Sequence, residues 1–569
     1  MINKSTIERI KTFFKGEIKD DEKTLEVFSQ DASLFRVKPS LVVSPKDYSD
    51  LKNLVLFASE ETKSGNHLTL TARAAGTDMS GGPLTEGVVV SFTEHFNKIK
   101  EIKEKNEGYL GGRFSNVPVT GYATAEPGVY YRDFDKATLV RGGQILPSYP
   151  ASRELCTVGG MVANNSGGEK TLTYGKTEQY IRRLKMVCAD GNEYEFKPLS
   201  FEEAMEKRKL QTFEGDIYRK MDELLKSNIE IIKNSKPTVS KNSCGYYLWN
   251  IVDKENNIVD LTKMIVGSQG TLGLITEIEF ALVKPKKYSH LLVVFLKDLN
   301  QLGGTSVHIL EHKPESFESY DDQTLKVAFR FLPQLAKQMG GSLLTLGLEF
   351  VPEMLAVLEG GLPKLVLMAE FTSDSDAEAF EMAKKAETSL KSFHEKTRVT
   401  KTIRDENKYW VIRRESFNML RKHIHGVRTA PFIDDFVVLP KTLPEFLPRL
   451  YKILKPYKND LTYTIAGHVG DGNFHIIPLM NLANQRSKKV IEELLVKVYT
   501  LVHEFNGSIT GEHNDGIIRT PFIKMQYGEE VYKIFDQVKK IWDPENIFNP
   551  GKKVGGTLEY ALNHIVKSS

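Results

Sequence analysis

Cysteine is scarce in this sequence: Cys156, Cys188 and Cys244 are the only three in 569 residues, and they stand far apart. Three scattered thiols are too few for a four-thiolate iron–sulfur cluster held by this chain alone, and they lack metal-cluster spacing. An excess of charge of one sign is missing as well. The 77 basic and 74 acidic residues leave a net charge of +3, which gives no electrostatic case for nucleic acid. Long apolar runs are also absent. Leu291 to Leu296 and Leu365 to Met368 are too short to span a bilayer, so membrane contact is expected to be peripheral if it occurs at all. Near the N-terminus Ile7, Ile10, Phe13 and Phe14 alternate with Lys4, Lys11, Lys15 and Asp20, the pattern of an amphipathic helix and not of a signal peptide. A cytoplasmic location is therefore expected. There is no internal repeat and no low-complexity linker.

A chain of this length suggests two or three domains. From Leu41 to Leu282 short β-branched runs alternate with helical stretches, which predicts an α+β domain. Its clearest strands are Leu41-Val42-Val43, Leu68 to Thr71, Val88-Val89-Val90, Met186-Val187-Cys188 and Ile278-Glu279-Phe280. The charged stretch from Phe201 to Asn234 reads as a surface excursion. Past Lys284-Pro285-Lys286 a second domain is expected, with a strand from Leu291 to Phe295 and an amphipathic helix from Asp376 to Phe393. A helix from Glu530 to Trp542 then leads into the turn formers Asp543 to Lys552.

Two segments near the C-terminus carry chemistry: Gly467-His468-Val469-Gly470-Asp471-Gly472-Asn473-Phe474-His475 and Thr510-Gly511-Glu512-His513-Asn514-Asp515-Gly516. The glycines around Asp471 let a strand reverse between Thr462 to Ile465 and Phe474 to Ile477, which brings His468 and His475 back toward each other. With Glu512 they make two nitrogens and one oxygen for a divalent cation, with positions left for a substrate to chelate. His513 is placed beside that cation as a base. Side chains of neighbouring residues on an extended segment point apart, so His513 is not expected to be a fourth ligand.

Three glycine-rich loops lie in the first half. Arg73 to Gly82 stands between two strands, and its freed N–H groups, with the Thr77 and Ser80 hydroxyls, can form a concave seat for phosphate oxygens. It is neither a Walker loop nor a Gly-x-Gly-x-x-Gly fingerprint opening a helix, so a nicotinamide is not required. Cys156 to Gly168 and Val266 to Thr276 are the others. Three such loops in one domain suggest a backbone lying along a long ligand such as a dinucleotide.

In their order, these loops, the two histidine segments and Asn549-Pro550-Gly551-Lys552 resemble FAD-linked oxidases and dehydrogenases of the vanillyl-alcohol oxidase type, in the branch of D-lactate, glycolate and D-2-hydroxyglutarate dehydrogenases. The resemblance runs over nearly the whole chain from about Asp31. It implies an N-terminal helical segment over 1–36 and a two-part FAD-binding domain of PCMH type over 37–284. A substrate or cap domain with the metal site over 285–520 and a C-terminal segment over 521–569 returning to the flavin would follow. By position, Arg73, Gly76, Thr77, Asp78, Met79, Ser80 and Gly81 would hold the pyrophosphate side. Pro147, Thr157, Gly160, Ala163, Asn164, Ser166 and Gly167 would follow the flavin, and Gly270, Thr271, Ile275 and Asn549 would complete the site. The first loop has no histidine, so FAD is expected to be non-covalent. The resemblance also implies Zn2+, Mn2+ or Fe2+ on His468, His475 and Glu512, with His513 as base. Trp410 to Glu415 resembles the stretch that supplies a bidentate arginine for the substrate carboxylate, here Arg413.

The implied reaction is oxidation of a small, D-lactate-like 2-hydroxy acid. Electrons would pass to an acceptor outside the chain: a quinone, a cytochrome, or a separate iron–sulfur or electron-transfer protein. Oxygen as acceptor and a homodimer stay open. Three departures stand out. Gln269 occupies a position where Glu is expected, Asn514-Asp515-Gly516 follow His513, and Thr429 to Asp435 contains no lysine, which argues against a dicarboxylate substrate. Two other readings are an alkyl-dihydroxyacetonephosphate-synthase-like transferase, which would need a consecutive histidine run that this sequence lacks, and a flavin-free zinc hydrolase.

Overall fold

The computed structural model describes residues 4–105, 117–330, 361–423 and 426–567, with Ile2, Gly108 and Leu110 besides. Strands β1 (Glu17–Lys19), β2 (Leu41–Ser44), β3 (Leu70–Arg73) and β4 (Val88–Ser91) form the first sheet in the order β1-β2-β4-β3. The last three are parallel. Every residue of β2 and β4 is buried, because the helix Tyr48–Lys63 covers one face and Leu25 the other. Burial on both faces is why these strands read as unbroken apolar runs and not as alternation.

The second sheet is antiparallel. It contains β5 (Ile99–Glu104), β6 (Gly121–Ala125), β7 (Ile181–Val187), β8 (Glu193–Phe196) and β9 (Leu274–Leu282), in the order β5-β6-β9-β7-β8. The predicted cores at Met186 and Ile278 are thus parts of longer strands. The first glycine-rich loop leaves the end of β3, the second contains the short helix Val158–Asn164, and the third runs into β9.

A seven-stranded antiparallel sheet follows: β10 (Tyr288–Leu296), β11 (Ser316–Asp321), β12 (Leu365–Ser373), β13 (Lys396–Val399), β14 (Phe436–Val437), β15 (Ile465–His468) and β16 (Asn473–Ile476). Their order is β13-β10-β12-β11-β15-β16-β14. Leu292, Val294 and Leu296 on β10 pack with Ala383 and Ala386 of the helix Asp376–Ser389. Leu291, Val293 and Phe295 face Tyr409, Trp410 and Ile412 of the helix Ile403–His423. This second helix is what carries Arg413 to the edge of the site.

The C-terminal helix starts at Ile523, seven residues before the predicted start, and it is broken at Gly528 (φ 80°, ψ 172°), beyond which the expected helix begins. It ends in Trp542, fully buried against Phe196 with ring centroids 5.2 Å apart. The stretch Phe201 to Asn234 is not a detached excursion. Its middle helix, Phe213–Ser227, buries Ile217, Tyr218, Met221 and Leu224, and Tyr218 stacks on Phe196 beside the same tryptophan. Its charges had masked an apolar face of helical period. Among the described residues no helix is long and apolar enough to cross a membrane.

Candidate active site

A cavity of about 630 Å3 runs between the first two sheets and the seven-stranded sheet, within the range of small-molecule and cofactor sites. Arg73, Gly76, Thr77, Asp78 and Met79 line it from the first loop, and Thr157, Gly160, Ala163, Asn164, Ser166 and Gly167 from the second. Gly270, Ile275, Arg413, His468, His475, Glu512 and His513 complete the expected wall. Five expected residues do not line it. Ser80 turns its hydroxyl to Asp78 (2.8 Å), Gly81 lies under Phe35 and Ile517, and Pro147 is buried behind the wall. Thr271 donates to the Ser268 carbonyl at 2.7 Å. Asn549 donates to the carbonyls of Gly82 (3.0 Å) and Gln269 (2.7 Å), tying two loops together from behind. Ser80, Thr271 and Asn549 shape the loops through their own hydrogen bonds.

Asp78 acts similarly within its loop, where one carboxylate oxygen accepts from the Ser80 and Gly82 amides at 3.1 and 2.6 Å. Arg73 fits an anionic cofactor. Nη2 donates to the Gln30 carbonyl at 2.7 Å, whereas Nη1 is buried on the cavity wall without a hydrogen-bond partner among the described residues. A pyrophosphate oxygen would satisfy it.

The departure at Gln269 has a clear structural role. Its amide nitrogen donates to Ser80 Oγ (3.3 Å) and Asn164 Oδ1 (3.2 Å), and its oxygen accepts from the Gly516 amide at 2.9 Å. A carboxylate could not donate the first two. Asn514 donates to the carbonyls of Asn164 (3.2 Å) and Gly267 (2.9 Å), and Asp515 accepts from the Gly245 amide and the buried Lys553. The three residues after His513 thus clamp its segment to the loops. Gly516 itself has φ 51°, and a Cβ there would lie 2.3 Å from the Ser80 carbonyl oxygen. That carbonyl is already held by the Ile517 amide at 2.8 Å. Gly516→Ala is therefore expected to cost about 1–3 kcal/mol through overpacking and to loosen the flavin site. The measurement is thermal midpoint together with FAD retained after gel filtration, and a variant matching wild type in both would refute it.

At the other end of the cavity β15 and β16 form the expected hairpin, its turn closed by Gly472 at φ 68°. Thr462 pairs with Leu479 in the same register, and the pairing lapses at Tyr463 and Thr464 before it resumes at Ile465 opposite Ile476. The His468 and His475 rings come within 5.2 Å, nearly perpendicular. Each imidazole has a carboxylate at Nδ1: Glu318 Oε1 lies 2.6 Å from His468, and Asp434 Oδ1 lies 3.2 Å from His475. Their Nε2 atoms face Glu512 Oε2 at 3.4 and 4.0 Å. Two imidazole nitrogens and a carboxylate oxygen converging in this way repel unless a cation or proton lies among them, and carboxylates behind metal-binding histidines are the usual orienting groups. The donor set fits a divalent cation.

His513 Nδ1 lies 2.6 Å from Asp434 Oδ2, and its ring stacks on His475 with centroids 5.0 Å apart. Burial pulls the imidazoles of His468 and His513 down, but Glu318 beside the one and Asp434 beside the other outweigh it and hold each at about 9. Glu512 is pushed up by burial, yet Lys241 and His468 keep it well below the ordinary range. Lys241 is wholly buried, with Nζ 2.5 Å from Glu512 Oε1 and 3.3 Å from Asp471.

Asp435, in the left-handed region at φ 69°, anchors the second histidine segment. Its Oδ2 accepts from Thr510 Oγ1 (2.7 Å) and from the amides of Glu512 (2.8 Å) and His513 (2.7 Å), while Oδ1 accepts from Asn473 at 3.0 Å. Asp435, His475, Glu512 and His513 offer ligand atoms within 4.8 Å of one another. The segment bends and is not extended here, so Glu512 and His513 reach the same cluster, and the side-chain alternation expected to part them does not operate. Lys241, Glu318, Asp434 and Asp435 were not singled out from the sequence.

Arg413 reaches the cavity wall but is not free: its Nε and Nη2 lie 3.2 and 3.0 Å from Glu318 Oε2. Arg414 sits over the Trp410 ring and donates to both oxygens of Glu169 at 2.7 and 2.8 Å.

A cavity walled by glycine-rich loops, between a two-part α+β domain and an antiparallel cap sheet, defines a PCMH-type flavoprotein fold. The fold of 4-ethylphenol oxidase from Gulosibacter chungangensis matches at a TM-score of 0.65 and 13% identity, covering 98% of this chain and 99% of that one. That of p-cresol methylhydroxylase with substrate bound matches at 0.63 and 13%, covering 98% of each. The family model for the FAD binding domain matches residues 39–197, and that for the FAD linked oxidases, C-terminal domain, matches 285–553. The chain belongs to the FAD-linked oxidases.

D-2-hydroxyglutarate dehydrogenase of Pseudomonas putida is 24% identical over 95% of this chain, which spans only 50% of that relative. Glycolate oxidase subunit GlcD of Bacillus subtilis is 26% identical over 92% of this chain and 91% of its own length. D-lactate dehydrogenase of Archaeoglobus fulgidus is 27% identical over 94% and 98%. The chain therefore spans about half the length of the P. putida hydroxyglutarate enzyme and nearly all of the other two.

Proposed function

We propose that this chain is a metal-assisted, FAD-dependent dehydrogenase that oxidises a small D-lactate-like 2-hydroxy acid to the 2-oxo acid. The observation that carries this reading is the convergence of His468 Nε2, His475 Nε2 and Glu512 Oε2 at one end of the loop-lined cavity. FAD, when bound, supplies a two-electron acceptor for hydride from the substrate α-carbon, and a divalent cation supplies a Lewis acid for its α-hydroxyl. The loop residues from Arg73 to Met79 and from Thr157 to Gly167 hold the cofactor, while Arg413 meets the substrate carboxylate with the edge of its guanidinium turned away from Glu318. His513 takes the hydroxyl proton at Nε2, with Nδ1 against Asp434. A base must be neutral to accept a proton, and at about 9 the imidazole by itself is largely charged near pH 7. A cation held by His468, His475 and Glu512 would lower it, so His513 would be a neutral base only with that site filled.

Residues 37–284 serve the cofactor and 285–520 the substrate, and 521–569 close the cofactor site from behind. Electrons leave to an acceptor outside the chain. The FAD-binding match at 39–197 favours this over a flavin-free hydrolase. The alternative transferase shares the fold at a TM-score of 0.62 and 15% identity in alkyldihydroxyacetonephosphate synthase, but the consecutive histidines expected for it are missing here.

The test is anaerobic bleaching of the flavin with a panel of D- and L-2-hydroxy acids. Bleaching by a short D-2-hydroxy acid is expected, and a flavin left oxidised by the whole panel overturns the reading. Acid or heat precipitation is expected to release the yellow cofactor into the supernatant, because no histidine occurs in the Arg73 to Gly82 loop. Flavin that stays with the pellet would contradict non-covalent binding.

A further inference from the structure

Glu318 belongs to no motif and lies 150 residues from His468 in sequence. Strand pairing places it. On β11 Ser319 is paired with Gly467 and Tyr320 with Ala466 of β15, so the next step along the antiparallel pair sets Glu318 beside His468. The side chain is 1% exposed and uses both oxygens: Oε1 lies 2.6 Å from His468 Nδ1, and Oε2 lies 3.0 Å from Arg413 Nη2. A buried carboxylate is costly unless paired, and here the two partners divide its oxygens. One is an expected metal ligand and the other the expected arm for the substrate carboxylate.

We propose that Glu318 is a positioning residue that couples the two arms of the site, holding the His468 ring with Nε2 toward the metal and the Arg413 guanidinium with its remaining edge toward the substrate. The inference rests on the metal-assisted reading above. Because one buried carboxylate holds both groups, the placing of the His468 imidazole relative to the Arg413 guanidinium is set by β11 and not by the reach of the arginine side chain alone.

The variant Glu318→Gln discriminates. An amide has one acceptor and one donor end, and both partners of Glu318 present donors, so Gln can satisfy His468 or Arg413 but not both. Wild type and variant, both loaded with FAD, are titrated with Zn2+ against a chromogenic chelator, and KM is measured for the hydroxy acid that bleaches the flavin. The expected result is Zn2+ affinity lowered by about 10–100-fold, as for other groups behind metal ligands, together with a raised KM, at unchanged FAD content. If Glu318→Gln does not fold, Glu318→Asp is measured in its place, since it keeps the charge but is one methylene too short to reach both partners. The same losses are expected. A variant that holds Zn2+ like wild type overturns the coupling even if KM rises. A wild-type chain that binds no Zn2+, Mn2+ or Fe2+ overturns the metal reading itself, and the two failures are distinguishable.

Discussion

His513→Asn is expected to keep its FAD and metal and to lose about 10²–10⁴-fold in the rate of flavin reduction. The backbone amide at 513, which donates to Asp435, survives the change, so the turn that presents Glu512 persists. What disappears is Nε2, the nitrogen able to accept a proton, because an amide is not a base. Anaerobic stopped-flow reduction with the bleaching substrate reads the rate, while flavin absorbance and metal analysis read the occupancy. Reduction at the wild-type rate would remove His513 from the mechanism, and a loss of metal alongside rate would make it a ligand instead.

Asp435→Ala is expected to lower stability by about 3 kcal/mol or more and to strip the metal. Removing this carboxylate strands three donors, the Glu512 and His513 amides and Thr510 Oγ1, each worth about 1–3 kcal/mol when left unmet in the interior, and leaves Asn473 Nδ2 with only the Phe436 carbonyl. Alanine is also strained at φ 69°, where aspartate and asparagine are better tolerated. Asp435→Asn should lie between, keeping the backbone conformation and part of the acceptor capacity. Thermal midpoints and metal content of the two variants check this, and an alanine variant equal to wild type in both would show that the turn is held by something else.

The histidine hairpin was legible because its signals are local. Glycines mark the reversal, and His468 and His475 then face each other through strand pairing alone. Glu318, Lys241, Asp434 and Asp435 carry no such mark. They arrive from strands and loops distant in sequence, and only register and packing bring a carboxylate behind each imidazole. Lys241 in particular reads as one more surface lysine until the fold buries it against Glu512. The same blindness hid the turn of the Ser80 and Thr271 hydroxyls toward their own loops, since a hydroxyl beside glycine looks alike whether it faces a ligand or its own backbone. In the fold, β2 and β4 were readable from continuous apolar runs. The start of the C-terminal helix was not, because Gly528 interrupts it soon after it begins.

The C-terminal tail has a consequence for how the protein is made. Asn549 reaches Gly82 and Gln269, Lys552 reaches the Leu84 carbonyl, Lys553 reaches Ser243, and Val566 donates to the Leu34 carbonyl. The bonds to Gly82 and Leu84 span 467 and 468 residues of sequence, so they can form only once Asn549 and Lys552 have been translated. A ribosome-bound polypeptide lacking this segment has the glycine-rich loops but not the brace that sets their spacing. Cofactor loading is then expected to wait for residues 549–566, and truncation just before Asn549 is expected to weaken a pocket whose lining residues are all still present.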